Sequence, residues 1–268
     1  MDEGRFSVSV QSLYARLGTA AAPLIVDVRR EPAFAAGDRI IVSAIRRTPE
    51  AIEEGSYGVW SGRPVVVYCV RGREVSQNVA LQLRDAGIDA AYLEGGIEAW
   101  TEVGLPLRNK GVEASSRWVT REKPKIDRIA CPWLIRRFIN PEAAFLYVPT
   151  ERVFDAARES GAIPYDIPGA EPFTHDGEKC SFNAFLKVYG IRDPALDALA
   201  LIVRGSDTDR LELTPQSSGL LAITLGLSAN FPDDHAMLEH GMVIYDALYA
   251  WCRSLRGETH GWNPDLGR

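Results

Sequence analysis

A chain of 268 residues with 46% hydrophobic and 25% charged residues has the composition of a globular protein with a full core, in one or two domains. The net charge of −6 argues against nucleic acid as a partner, and no apolar run approaches the ~18 residues of a membrane span. Residues 1–6 lack an apolar signal-peptide core, and the cysteines form no CxxC pair. We therefore expect a cytoplasmic protein with reduced thiols and no membrane partner.

The first part of the chain alternates short apolar runs with segments of helical periodicity. Residues 6–10 have the alternating pattern of an edge strand, and residues 11–17 are typical of a short helix. Apolar runs that would be buried on both faces follow at residues 23–29, 39–45, 65–68 and 90–94. Helix-like segments follow the last two of these runs, at residues 75–86 and 97–102. This alternation predicts an α/β domain with a central parallel sheet and flanking helices.

The second part of the chain is richer in helical segments. Residues 109–124 are polar and aperiodic, which indicates a linker or wrapping segment. Cys131 is predicted to begin a helix with Pro132 at its first position. Further elements are predicted at residues 144–148, 151–160, 162–167, 182–189, 193–204, 216–228 and 232–256. The resulting division is residues 1–108, a linker at 109–124, and a helix-rich α+β domain at 125–268.

A cysteine turn joins the apolar run at residues 65–68 to the helix that follows. Cys69 lies where backbone N–H groups and a helix dipole favour an anion, and the same field stabilises a thiolate. Gly72 allows the backbone to turn tightly around the sulfur, and Arg71 and Arg73 add positive charge. We therefore predict that Cys69 is a reactive thiolate. A buried, inert cysteine is the alternative, but it would not explain a glycine between two arginines.

Residues 5–108 contain four motifs: DVR at residues 27–29, YCVRGREVS at 68–76, LEGGIEAW at 93–100 and GLP at 104–106. Together they make this part of the chain resemble a single-domain rhodanese. The resemblance implies sulfur transfer with Cys69 as the catalytic nucleophile, which becomes a persulfide and requires no cofactor. It implies an anionic sulfur donor such as thiosulfate and a thiol or cyanide-like acceptor. The residues expected to surround the bound anion are Arg71, Gly72, Arg73, Glu74, Val75, Asp27 and Arg29.

Two details of the turn qualify this resemblance. Cysteine-based phosphatases need an arginine six residues after the cysteine, and Val75 occupies that position, which argues against phosphatase chemistry. Asp27 and Arg29 either support the active turn or form an ordinary structural ion pair. Residues 37–40 (GDRI) depart from the glycine-histidine-isoleucine-proline run usual in the family, so the segment that would cover the active site is altered.

The second half contains four distinctive stretches: IDRIACPWLIRRF at residues 126–138, HDGEKCSF at 175–182, RGSDT at 204–208 and DH at 234–235. With them it resembles the C-terminal domain of ChrB-type chromate-resistance proteins. The resemblance implies a link to chromate resistance rather than a defined reaction. Family members that act as regulators carry a different N-terminal domain, so DNA binding transfers poorly.

The polar residues of these stretches are of metal-binding or oxyanion-binding type. A metal ion of unidentified kind would use His175, Asp207 and His235, with Glu178 as a further ligand, and Arg128 and Arg136 would hold an oxyanion such as chromate. The alternative for each is an ordinary structural or surface side chain. Cys131 and Cys180 lie near basic residues, which suggests lowered thiol pKa values. Cys252 is interpreted as core packing.

Three functions remain open on the sequence. The leading hypothesis is a thiosulfate sulfurtransferase associated with chromate resistance. The second is a non-catalytic oxyanion or metal sensor, or a regulatory protein of a chromate-resistance system. The third, a DNA-binding regulator, is disfavoured by the acidic charge.

Overall fold

The computed structural model describes residues 6–55, 60, 62–110 and 116–258. The first half contains, in chain order, β1 (Ser7–Val8), α1 (Val10–Arg16), β2 (Leu24–Asp27), α2 (Glu31–Ala35), β3 (Arg39–Ile41), β4 (Ile45–Arg46), α3 (Pro49–Glu53), β5 (Val65–Tyr68), α4 (Glu74–Asp85), β6 (Ala90–Leu93), α5 (Gly96–Glu102) and β7 (Leu107–Asn109). The second half contains β8 (Arg117–Arg121), α6 (Ile126–Leu134), β9 (Ala144–Val148), α7 (Val153–Ser160), β10 (Ile163–Pro164), α8 (Ser181–Tyr189), α9 (Pro194–Asp207), α10 (Pro215–Asn230) and α11 (Asp234–Ala250). None of the described helices is long and apolar enough to cross a membrane.

The sheet of the first half has five parallel strands in the order β1-β6-β5-β2-β4. Every residue of β2 and β5 is buried, as the apolar runs predict for interior strands. The apolar stretch at residues 39–45 is divided between β3, which pairs with β7 in a separate antiparallel ribbon, and β4. The backbone turns at Ser43, which has a positive φ of 65°. Because the strands of the main sheet are parallel, the chain leaves β2, β5 and β6 at one common edge, where Cys69 lies.

The second half has a three-stranded parallel sheet in the order β10-β8-β9, covered by helices. Its central strand, β8, lies within residues 109–124, which the sequence predicted as a linker. That prediction is wrong for residues 117–121, because Trp118, Val119 and Thr120 are buried between the two neighbouring strands. Residues 111–115 of the same segment lie outside the described residues.

Helix α6 begins five residues before Cys131, where the sequence predicted its start. Pro132 lies inside this helix, and a π-helical turn (Ile135–Ile139) follows it. Proline has no N–H to donate to the carbonyl four residues earlier. That carbonyl, on Arg128, accepts a hydrogen bond from the Tyr147 hydroxyl at 3.4 Å instead. The helix therefore tolerates an internal proline, and Cys131 is not at its N-terminus.

The two halves share one hydrophobic core, to which Leu13 and Trp100 contribute from the first half and Phe138 and Tyr249 from the second. Polar contacts reinforce this packing at the ends of the elements. The Tyr14 hydroxyl donates to Asp193 at 2.7 Å, and the Arg253 guanidinium donates to the backbone carbonyls of Tyr14, Ala15 and Leu17. The first half is therefore packed against the second half and is not a separate domain on a flexible linker.

Candidate functional sites

Cys69 follows the central strand β5 and lies five residues before the first residue of helix α4. Its side chain is 7% exposed, so the sulfur is close to the surface but almost enclosed. The thiol lies 3.2 Å from the Ser76 hydroxyl, and either group can donate to the other. The single proton of this hydroxyl can point instead to the backbone carbonyl of Arg73, at 3.1 Å. The strand, the turn and the first turn of α4 together fix the position of the sulfur.

The environment of the thiol favours its ionised form. Burial alone would raise the pKa of Cys69. The Ser76 hydroxyl and the backbone N–H groups of Ser76, Arg73 and Arg71 outweigh that effect by hydrogen bonding to the sulfur, and the net result is a lowered pKa. The expected thiolate is therefore supported by hydrogen-bond donors of the turn.

The turn packs closely against the start of helix α5. The carbonyls of Cys69 and Val70 accept hydrogen bonds from the amides of Ile97 and Glu98 at 3.1 and 3.0 Å. A side chain on Gly96 would place its Cβ 2.4 Å from the Cys69 carbonyl oxygen, so only glycine fits there. Gly72 is restricted in the same way, with a φ of 63° and a Cβ position 2.3 Å from the carbonyl oxygen of residue 93. These contacts explain why the glycines of both motifs occur together.

The two arginines of the turn differ in whether an ion pair already occupies them. Arg71 forms an ion pair with Glu98 at 2.9 Å, and both side chains are more than half exposed. Arg73 is exposed, and within residues 6–55, 60, 62–110 and 116–258 no ion pair involves it. Glu74 is the exposed first residue of α4, and Val75 is half-buried beside it. Of the two predicted anion-binding arginines, Arg73 therefore carries the less compensated charge.

Asp27 and Arg29 form a buried ion pair below the turn. Their side chains are 0% and 4% exposed and approach to 2.5 Å. Asp27 also accepts a hydrogen bond from the Tyr68 hydroxyl at 2.9 Å, and Arg29 donates to the carbonyl of Arg39. This geometry matches the structural alternative for the pair, which ties β2 to β5 and to β3.

A cavity of about 570 Å³ lies between this ion pair and helix α5. Arg29 and the altered segment, Gly37 to Arg39, line one side of it, and Ile97 and Glu98 line the other. Ile97 and Glu98 are the residues whose amides hold the Cys69 turn. The segment that departs from the usual rhodanese pattern therefore contributes to a surface cavity next to the turn.

In the second half, three of the singled-out stretches converge on one point. Asp127 of α6, His175 and Asp207 at the end of α9 each offer a ligand atom, and these atoms lie within 4.8 Å of one another. His175 Nε2 is 3.1 Å from Asp207 and 3.8 Å from Asp127. A further carboxylate, Asp166, lies 3.6 Å from the same nitrogen. We call these four residues the carboxylate–histidine cluster.

The close contacts within the cluster shift the pKa values of its members. Hydrogen bonds to Asp166 and Asp207 raise the pKa of His175 to about 10, against the lowering effect of burial. Burial, followed by the charges of Asp207 and Asp166, raises the pKa of Asp127. Three carboxylates held this close to one another need a positive partner.

The other predicted ligands do not join this cluster. The ring of His235 packs edge-on against Tyr147 at 5.5 Å, and Glu178 is an exposed residue of the turn that follows His175. Arg128 pairs with Asp166 at 3.5 Å, and Arg136 pairs with Glu239 at 2.7 Å. Arg128 therefore lies beside the cluster, whereas Arg136 is engaged elsewhere.

The predicted lowering of the pKa values of Cys131 and Cys180 is wrong. Cys131 is fully buried in the middle of α6, and its burial, with the nearby charge of Asp127, raises its pKa. Burial and the charges of Asp127 and Asp207 raise the pKa of Cys180 in the same way. Cys252 is buried as expected for core packing, and its burial raises its pKa to about 11. Cys69 is thus the cysteine suited to form a thiolate.

Asp127, Asp166 and Ser76 were missed as site residues on the sequence. A single carboxylate in the apolar run of α6 was the available signal for Asp127, since such a residue must find a partner when buried. Asp166 has a φ of 52°, which the sequence does not reveal. Ser76 is seven residues from Cys69, and its role depends on how the turn closes.

Comparison with known proteins agrees with this architecture. The family model described as the ChrB C-terminal domain matches residues 118–252, about half of the chain. The chain belongs to the ChrB C-terminal domain family. The model of the rhodanese-like domain matches residues 9–103, so this chain joins a rhodanese-like α/β domain to a helix-rich ChrB-type domain.

Individual similar proteins include Protein ChrB of Cupriavidus metallidurans, which is 33% identical over 186 residues. The match covers 68% of this chain and 55% of that protein, so the chain spans about half the length of this relative. Similar solved structures include a rhodanese-like domain protein from Staphylococcus aureus, with 28% identity, a TM-score of 0.32, and coverage of 35% of this chain and 90% of that chain. A rhodanese-related protein from Thermoplasma volcanium has 24% identity and a TM-score of 0.34, with coverage of 38% and 96%.

Proposed function

We propose that the protein is a sulfurtransferase in which Cys69 carries sulfane sulfur as a persulfide. The observation that supports this most is the turn at Cys69, where a hydroxyl and three backbone N–H groups converge on the sulfur and lower its pKa. A persulfide anion requires the same donors as a thiolate. The rhodanese-like domain that contains the turn is consistent with this chemistry.

The proposed reaction has two displacement steps. The Cys69 thiolate attacks the outer sulfur of thiosulfate, a sulfur–sulfur bond forms in the protein, and sulfite leaves with the electron pair of the broken bond. An acceptor nucleophile, such as cyanide or a thiolate, then attacks the outer sulfur of the persulfide and regenerates the Cys69 thiolate. Arg73, which is exposed and lacks an ion-pair partner within the described ranges, is suited to attract the anionic donor.

We further propose that this activity belongs to chromate resistance. The support is the ChrB-type second half and the similarity to Protein ChrB, which extends over more than half of the chain. In this proposal the ChrB-type domain either binds an oxyanion or metal or presents an acceptor to the persulfide. The reactive turn and the second half are held together by the shared core.

A steady-state assay of thiosulfate-to-cyanide transfer tests the sulfurtransferase proposal. We expect turnover by the full chain, loss of turnover in Cys69→Ala, and retention in Cys252→Ala, which removes another buried thiol far along the chain. Absence of turnover in the unaltered protein, or equal turnover in Cys69→Ala, would refute the proposal.

A second candidate function is a non-catalytic sensor. It is favoured by the carboxylate–histidine cluster, a group of cation-binding type in the ChrB-type half. A sensor would bind thiosulfate or sulfate at the Cys69 turn without transferring sulfur. Saturable binding of these anions by calorimetry, in a protein that shows no turnover, is the result that would favour this second function.

A further inference from the structure

We propose that Asp127, His175 and Asp207 form a binding site for a single divalent metal ion. The site lies in the ChrB-type half and is separate from the Cys69 turn. Its ligands come from α6, from the segment before α8 and from the last residue of α9. The fold therefore brings together three distant segments at one point, a common way for proteins to build a metal site.

The spacing of the donor atoms suits a shared ion. Atoms that coordinate one ion at ~2.0–2.2 Å lie at most about 4.4 Å from each other. His175 Nε2 already lies 3.1 Å from Asp207 Oδ2 and 3.8 Å from Asp127 Oδ2. Since all three ligand atoms fall within 4.8 Å, small side-chain adjustments are enough to close the site.

A second observation is that the protein's own groups do not satisfy both oxygens of the Asp127 carboxylate. The Asp127 side chain is 0% exposed, and within the described residues its Oδ1 atom has no hydrogen-bond partner. A buried carboxylate oxygen without a partner is costly, because it has lost its water and gained nothing in return. The other oxygen, Oδ2, accepts from the Phe182 amide at 3.3 Å, which holds the carboxylate in place. A metal ion bound through both carboxylate oxygens would satisfy Oδ1 and would also contact Oδ2, the oxygen 3.8 Å from His175 Nε2.

The arginines beside the cluster pair with Asp166 and do not neutralise Asp127 and Asp207, so the site can accept a cation. Asp166 is already engaged, since Ser181 donates to its Oδ1 and Arg121 and Arg128 approach its Oδ2. Within residues 6–55, 60, 62–110 and 116–258, no lysine or arginine forms an ion pair with Asp127 or Asp207. His175 is the basic side chain that contacts both of them, and a metal ion bound between the three residues would compensate the negative charge of the carboxylates.

The donor set indicates the class of metal. One imidazole nitrogen and two carboxylates favour first-row divalent ions such as Mn²⁺, Fe²⁺ or Zn²⁺ over soft monovalent copper, which prefers sulfur ligands. Three protein ligands leave coordination positions open. His175, whose side chain is 43% exposed, is the ligand nearest to solvent, against 17% for Asp207 and 0% for Asp127.

A cavity of about 300 Å³ adjoins His175. It is lined by Arg121, Asp166, Thr174 and His175, among others. Of the three proposed ligands, His175 lines this cavity, so an ion would approach the site from the side of His175. Arg121 would add positive charge for an anionic ligand that occupies an open position on the metal.

Manganese titration tests the site directly. The full chain is freed of metal with a chelator, titrated with Mn²⁺, and the free ion is followed by electron paramagnetic resonance. We expect saturable binding of one ion per chain. His175→Gln and Asp207→Asn are each expected to weaken binding by ~10-fold or more. His235→Gln is the matched control, because His235 packs on Tyr147 outside the cluster, and it should bind like the unaltered protein.

Thermal melting of each variant separates loss of ligand from loss of fold. His175→Gln removes a basic partner of three carboxylates, so the metal-free variant should melt at a lower temperature than the unaltered protein but still in one cooperative transition. The proposal is overturned if neither Mn²⁺ nor Zn²⁺ binds saturably, if His175→Gln binds as tightly as the unaltered chain, or if His235→Gln weakens binding equally. In those cases the cluster is an ion-paired histidine without a metal. This titration does not measure sulfur transfer, so a failure of the metal proposal would leave the proposal for Cys69 unaffected.

Discussion

At the scale of single residues, the reactivity of Cys69 depends on the balance between its burial and the donors around it. Burial opposes the thiolate, and the Ser76 hydroxyl is the side-chain donor that offsets it, at 3.2 Å from the sulfur. The sequence identified the cysteine and the glycine of the turn from their motif. It did not identify Ser76, because a serine in the first turn of a helix is common and its direction depends on the closed turn.

Ser76→Ala is expected to raise the pKa of Cys69, because it removes a donor to the thiolate. Alkylation by iodoacetamide increases with pH as the thiolate forms, so its profile should move to higher pH, with a severalfold lower rate near neutrality. Ser160→Ala, whose hydroxyl binds the carbonyl of Ala156, is the control and should leave the profile unchanged. An identical profile in Ser76→Ala would show that the hydroxyl does not support the thiolate.

At the scale of elements, the Cys69 turn and helix α5 form one unit. The motifs at residues 68–76 and 93–100 together carried the rhodanese resemblance, but the sequence did not predict that they pack against each other. The structure shows the close contact, since Gly96 leaves space for the carbonyls of Cys69 and Val70. The sequence predicted the wrong element type or the wrong helix start where the local composition is typical of another element. Arg117 and Arg121 make β8 look like a polar linker, and Pro132 resembled the first residue of a helix, where proline is frequent.

Gly96→Ala is expected to disrupt this unit. The new methyl group would meet the Cys69 carbonyl oxygen at 2.4 Å, and the residue has a φ of 60°. Gly104→Ala is the matched control, because Gly104 has a φ of 70° but nothing within 4 Å of the new Cβ. Both substitutions carry the left-handed penalty of ~1–2 kcal/mol, and the clash should cost Gly96→Ala about 1–3 kcal/mol more.

Urea unfolding and the rate of Cys69 alkylation measure these two effects. Gly96→Ala should lose more stability than Gly104→Ala and should lose the enhanced reactivity of Cys69. Equal stability losses in both variants, with unaltered reactivity, would mean that the turn does not depend on close packing against α5.

At the scale of the whole molecule, the two halves are joined by apolar packing and by hydrogen bonds at its margin. Asp193 caps the N-terminus of α9 and accepts a hydrogen bond from Tyr14 of α1. The sequence predicted two domains from their separate motifs but not this contact, because residues so far apart in sequence leave no local pattern. The same limit applies to the cluster of Asp127, His175 and Asp207, which only the folded chain brings together.

The full chain is therefore expected to unfold in a single transition. Far-ultraviolet circular dichroism and tryptophan fluorescence should give coincident curves in urea, since tryptophans lie in both halves. Tyr14→Phe removes a hydrogen bond to a carboxylate and should lower the free energy of unfolding by ~1.5–3 kcal/mol without separating the two curves.

Tyr92→Phe is the control for this substitution, because within the described ranges the Tyr92 hydroxyl makes no hydrogen bond. It should change stability little. Two resolved transitions in the unaltered chain, or a Tyr14→Phe effect confined to one of them, would contradict the shared core as a source of cooperativity.

The persulfide itself provides the most direct test of the proposed chemistry. The reduced full chain is incubated with thiosulfate, freed of excess donor and analysed by intact mass spectrometry and by peptide mapping. The proposal predicts a gain of one sulfur atom, located on Cys69, that cyanide removes and that Cys69→Ala does not acquire. An unchanged mass in the unaltered protein, or the same gain in Cys69→Ala, would contradict sulfur transfer through Cys69.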